Sequence, residues 1–82
     1  MSVTATLKNW ELVDFGSFFA IKGTIEGDSK ERFSDGVEIR TSKINAIYFA
    51  GDGEITAVTR NSVYKLEKPS VQMDAYRLGI DR

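Results

Sequence analysis

Histidine and cysteine are both missing from this 82-residue chain, and proline and tryptophan occur once each. Without histidine, a serine or threonine nucleophile would depend on lysine or a carboxylate as its base. Ser42 and Lys43 are neighbours, but adjacent residues of a strand point to opposite faces, which works against a dyad. The carboxylate pairs Glu31/Asp35 and Asp52/Glu54 lie among glycines and basic residues and read as turn formers. A zinc site draws mainly on Cys and His, and a cysteine-free chain has no disulfide framework. A calcium loop fails as well, because Lys30 and Arg32 stand where oxygen ligands belong after Asp28. No glycine-rich phosphate-binding fingerprint occurs. The expectation is a non-enzymatic protein with no metal and no cofactor.

Long apolar runs are also missing. The longest, such as Phe18 to Ile21, are far short of a membrane span. The N-terminal MSVTATLKNWE has no secretory pattern, so a cytoplasmic location and no membrane contact are expected. Eleven basic against twelve acidic residues leave no cationic surplus for duplex DNA. The apolar fraction of 41% suffices for one core, and residues 1–82 are read as a single domain. A chain of this size buries only roughly 60–65% of its unfolded surface. Its stability margin is thin, and homo-oligomerisation would ease it.

What remains is a β pattern: short runs rich in β-branched and aromatic residues, punctuated by Gly and Asp. Val3, Ala5 and Leu7 alternate, then Trp10 and Leu12 continue after a phase slip at Lys8-Asn9 that suggests a bulge. Phe19, Ile21, Gly23 and Ile25 share one face of a second strand, where Gly23 implies a bend or a close backbone approach. The polar stretch Gly27 to Gly36 reads as a solvated loop anchored by Phe33. Val37, Ile39 and Thr41 alternate, and the phase changes at Thr41-Ser42-Lys43, where a corner is expected. Gly51-Asp52-Gly53 closes a hairpin, Arg60-Asn61-Ser62 turns again, and Val63 to Glu67 forms the last strand before Pro69. The tail changes period: Val71, Ala75 and Leu78 predict a short helix over about 70–79. The expected architecture is mainly β, about six antiparallel strands in a small barrel or roll, with that C-terminal helix.

The residue types that are present suit recognition. Arg32, Arg40 and Arg60 offer guanidinium donors; Thr41, Ser42, Asn61, Ser62 and Tyr64 offer neutral hydrogen bonds. Phe33 or Tyr64 can stack on a base. If the segments 37–42 and 59–64 approach, these groups converge on one ligand site. The plainer alternative makes them ordinary surface groups: Arg40 paired with Glu38 or Glu54, and Tyr64 filling the core with its hydroxyl at the rim. The adjacent aromatics Phe18-Phe19 and Tyr48-Phe49 cannot both turn inward in a strand, so exposed members favour a subunit or partner interface.

The pattern formed by Arg32, Phe33, Asp35, Gly36, Ile39, Thr41, Ser42 and Ile44 continues with Val58, Thr59, Arg60, Ser62, Tyr64 and Leu66. It resembles a group of small phage and prophage proteins, mostly of unknown function, that also end in a Gly-Ile pair like Gly79-Ile80. The resemblance implies a counter-defence protein in the host cytoplasm. One implied activity is sequestering a nucleotide immune signal, a cyclic oligonucleotide or an ADP-ribose derivative. A second is direct binding to a host defence protein, as anti-CRISPR inhibitors do. A third, an OB-like binder of single-stranded nucleic acid, fits less well because such grooves carry more cations. The Arg, hydroxyl and Tyr grouping favours the nucleotide; the paired aromatics favour the protein.

Overall fold

The computed structural model describes residues 2–70. Six strands follow one another: β1 (Ala5–Asp14), β2 (Phe19–Glu26), β3 (Glu38–Arg40), β4 (Ala46–Phe49), β5 (Ile55–Val58) and β6 (Val63–Pro69). They form one mixed sheet in the order β3-β2-β1-β6-β5-β4. The architecture is thus two antiparallel three-stranded meanders, β1 to β3 and β4 to β6, joined side by side through β1 and β6.

Two parts of the sequence expectation need correction. The strands are not all antiparallel, because β1 pairs with β6 in parallel, Ala5 opposite Tyr64 and Leu7 opposite Leu66. Hairpin signals between sequence neighbours enforce antiparallel pairing only within each meander; they say nothing about how first and last strands meet. Nor does the sheet close into a barrel: β3 and β4 are its two edges. The sheet is nevertheless strongly curled. Ile44 donates its N–H to Phe19 O at the start of β2, and the next residue, Asn45, donates to Val58 O at the end of β5, both at 2.8 Å. One dipeptide therefore spans from one meander to the other. The corner expected at Thr41 to Lys43 begins this crossing. The expected helix over about 70–79 falls, apart from Ser70, outside the described residues.

Directly paired residues share a face, so the register defines the core. Ile25, Leu7, Leu66 and Ile55 form one row across β2, β1, β6 and β5, and Ala5, Tyr64 and Ala57 form the next. These residues line the concave side, and all but Ile55 are buried. The first meander is the more densely covered: Leu7, Ile21 and Ile25 are fully buried, whereas Ile44, Ile47 and Ile55 only partly are.

The phase slip in β1 is a bulge. The register passes from Lys8 opposite Thr24 to Glu11 opposite Lys22, so Asn9 and Trp10 together face Gly23. Asn9 takes a positive φ of 51° there. A Cβ on Gly23 would lie 3.2 Å from Lys8 O and 3.3 Å from Trp10 Cα. The close approach anticipated at Gly23 is therefore to the bulge itself. The shift also restores Trp10 and Leu12 to the concave side, beside Ile21.

Candidate functional site

Two regions stand out, one polar and one apolar. The polar one is built on Asp28, just after β2. Its carboxylate has no exposed side-chain surface, and it accepts hydrogen bonds throughout. Lys30 N–H reaches Oδ1 at 3.1 Å; Arg32 N–H and Phe33 N–H reach Oδ2 at 2.9 and 3.2 Å. Arg32 adds Nε to Oδ2 at 3.1 Å and Nη2 to Oδ1 at 3.2 Å, a fork across both oxygens. The backbone closes around this centre. Ser29 N–H donates to Thr4 O, Gly27 N–H to Asp35 Oδ1 and Gly36 N–H to Ile25 O, each at 2.8 Å. A ten-residue segment with joined ends is an Ω-loop, and it is solvated as expected, since every residue from Gly27 to Gly36 except Asp28 is exposed. Phe33 does not anchor it: its ring is exposed and lies 5.5 Å from the Arg32 guanidinium carbon.

The loop is also clasped to β6. Arg32 Nη1 donates to Ser62 Oγ and Nη2 to Tyr64 Oη, both at 3.3 Å. Lys30 Nζ donates to Asn61 O and, at 3.5 Å, to Ser62 Oγ. Tyr64 fills the core with its ring and presents its hydroxyl at the rim. The Arg32 hydrogen bond is the main force that lowers the Asp28 carboxyl from 3.8 to about 2. Desolvation opposes it, and the Lys30 and Arg32 N–H groups help it. Arg32 in turn is held above its ordinary value, first of all by Asp28. The pair is fully ionised at neutral pH.

This geometry divides the sequence-derived candidates. Arg32, Phe33, Asn61, Ser62 and Tyr64 come together, and Arg60 lies in the same turn, making no hydrogen bond or ion pair among the described residues. Arg40 is placed elsewhere, its guanidinium carbon 5.0 Å from the Phe15 ring centroid in the β1–β2 turn, where Phe15 and Phe18 stack. It pairs with neither Glu38 nor Glu54; Glu54 lies 3.7 Å from Lys65. Thr41 is buried and structural, accepting Ile21 N–H at 3.0 Å and donating to Ser42 O at 2.8 Å. Ser42 is exposed beside it.

Sequence reasoning missed Asp28 and Lys30. The available signal was Gly-Asp immediately after a strand, with Lys30 two residues on, an Asx-turn pattern. Arg32 is also more committed than its residue type suggests. Of a guanidinium's N–H groups, all but one on Nη1 already have partners. The charges nearby balance: Lys30, Arg32 and Arg60 against Asp28, Glu31 and Asp35.

The apolar region lies at the other edge of the sheet. Strand β4 reads Ala-Ile-Tyr-Phe, without a charge, and its outer side pairs with nothing among the described residues. The Ala50 N–H to Glu54 O bond at 2.8 Å fixes the hydrogen-bonding parity with β5. The Ile47 and Phe49 amides accordingly face outward along the free edge. Tyr48 and Phe49 are both exposed, 55% and 75%, on opposite faces. On the concave face a groove of about 430 Å³ runs between Trp10, Leu12, Ile47, Phe49 and Ile55.

Among the described residues, no helix is long and apolar enough to cross a membrane, and no cluster of three or more His, Cys, Asp or Glu is placed to hold a metal ion. Comparison with protein-family models, curated proteins and solved structures finds no match.

Proposed function

We propose that this chain is a non-enzymatic binding protein whose target is another protein, taken up by strand addition along the free edge of β4. The carrying observation is the contrast between the two sheet edges. Natural sheets blunt their edges with short strands and charged side chains. The β3 edge follows that rule, with three residues, Glu-Ile-Arg. The β4 edge breaks it, with four uncharged residues and two exposed aromatics. Strand addition takes affinity from main-chain hydrogen bonds and specificity from side chains on alternate faces. Ile47 and Phe49 offer the amides, and Tyr48 offers a contact on the convex face. In the setting implied by the resemblance to phage proteins, the target would be a host defence protein, and the activity direct inhibition.

The test is capture from defence-active cells by wild type, Tyr48→Lys and Arg60→Ala. A charge on the β4 edge should abolish capture, while Arg60→Ala should retain it. Equal capture by all three would refute the β4 assignment.

A second reading, sequestration of an anionic nucleotide, is favoured by Arg60, which has no partner among the described residues and lies in the turn whose Asn61 and Ser62 meet Lys30 and Arg32. It ranks second because Arg32 is already committed and the local charges balance. Thermal shift against cyclic oligonucleotides and ADP-ribose derivatives decides it. A true ligand at 100 times its Kd adds about 2.7 kcal/mol, and Arg60→Ala should erase that shift.

A further inference from the structure

A strand laid along β4 meets a different neighbour at each end. At the Ala46 end the crossing between the meanders is in the way, since Ile44 donates its N–H to Phe19 O at 2.8 Å. At the other end the edge runs into the exposed hairpin at Gly51 to Gly53. An added strand can therefore extend past β4 only toward the hairpin.

That end is acidic on the convex face. Tyr48, Thr56 and Lys65 form one convex row across β4, β5 and β6. The next row begins at Ala50, whose N–H donates to Glu54 O at 2.8 Å. The register that sets Ile55 opposite Leu66 carries Glu54 beside Glu67. Like charges directly opposite one another are destabilising, and Lys65 serves both, its Nζ 3.7 Å from each carboxylate. Lys8, opposite Glu67 in β1, is instead paired with Glu26 at 3.2 Å. Asp52 adds a third carboxylate in the hairpin, accepting the Glu54 N–H at 2.9 Å. Among the described residues, Lys65 is the one ammonium paired with any of these three acids. Ala50 has only a methyl group, so Glu54 is open toward the free edge. The concave side of the same edge is uncharged: Ile47, Phe49 and Ile55 face Trp10 and Leu12 across the groove.

Resting on strand addition at β4, we propose that the added strand is basic and amphipathic. It carries aliphatic side chains opposite Ile47 and Phe49, on the groove side, and lysine or arginine opposite Tyr48 and Ala50, on the convex side. The cation opposite Ala50 passes over the methyl group to Glu54, and the one opposite Tyr48 gains its ring as a cation–π partner. Glu54 thereby sets the sign of charge that the partner strand must bear.

Two short peptides test this, one alternating Val with Lys and the other Val with Glu. Each is titrated into the full chain, and the fluorescence of Trp10, the single tryptophan, reports the groove. The basic peptide should bind about tenfold more tightly or better at low salt, with the gap narrowing as salt rises. Glu54→Lys should reverse the preference and Glu54→Gln should reduce it. Glu38→Lys, the same change of charge on the β3 edge, should leave it standing. Amide exchange at Ile47 and Phe49 separates this inference from the β4 reading. Equal affinity for the two peptides, or a preference that Glu54→Lys does not alter, overturns the inference alone if both amides are protected. Binding that leaves those amides unprotected overturns the β4 reading as well. No binding of the basic peptide up to about 1 mM also overturns the inference.

Discussion

The two edges of the sheet are built on opposite plans. Strand β3 is short, carries Glu38 and Arg40, and is fed by the Ω-loop that Asp28 pins to β6. Strand β4 has no charge, shows Tyr48 and Phe49 to solvent, and borders an apolar groove. An open sheet always has two edges where backbone groups invite pairing. Among the described residues one edge is protected and the other is open, and the proposed β4 binding surface rests on that difference.

The largest effect is expected at the protected edge. Asp28→Ala removes a buried acceptor from five donors and strands the Arg32 guanidinium against Tyr64 and Ser62. Losing one partner of such a pair is among the costliest polar substitutions. The melting temperature should drop by roughly 10 °C or more in a domain of this size. The same group sets an acid limit. Its folded value of about 2 lies below the ordinary 3.8, so its contribution is fully present above pH 3.8 and disappears as the pH falls toward 2. Asp28→Asn should flatten the stability profile in that window, measured by denaturant melts at each pH.

The open side comes next. Tyr48→Lys gives β4 the kind of charge β3 already has. Partner affinity should fall roughly thirtyfold or more, the range of an interface hot spot, while stability changes by about 0.5 kcal/mol or less, as for other surface positions. Isothermal titration and a thermal melt read the two effects separately. The reverse exchange sharpens the contrast. Glu38→Thr with Arg40→Val strips the charges from β3, and sedimentation should then detect stronger concentration-dependent self-association than in wild type. The smallest effect is expected for Arg40→Ala alone. It removes the stacking on Phe15 and should cost about 0.5–1 kcal/mol in a chemical melt.

Much of the strand layout was legible in local signals. The slip at Lys8-Asn9, the glycine at 23, the turn at 51–53 and the corner at 41–43 each became a bulge, a close approach, a hairpin or a crossing. Such features depend on neighbours in the chain, which is why periodicity exposes them. The parallel β1–β6 joint and the open edges were not legible, because they depend on how two meanders meet across sixty residues. The candidate site was read in part for the same reason. Arg32, Ser62 and Tyr64 do converge, but the convergence is organised by Asp28, whose role becomes visible only once its carboxylate is buried among backbone amides. Arg40 shares the chemistry of Arg32 and lies beside a different loop, so residue type alone could not separate them.

Hydrogen exchange at the Ile47 and Phe49 amides, compared between the isolated protein and its partner complex, tests the β4 assignment most directly. Both amides should exchange quickly alone and slow by about a hundredfold or more once a strand is added. Unchanged exchange along β4, with new protection instead around Lys30 and Arg60 to Ser62, would contradict it and move the binding surface to the Asp28 end.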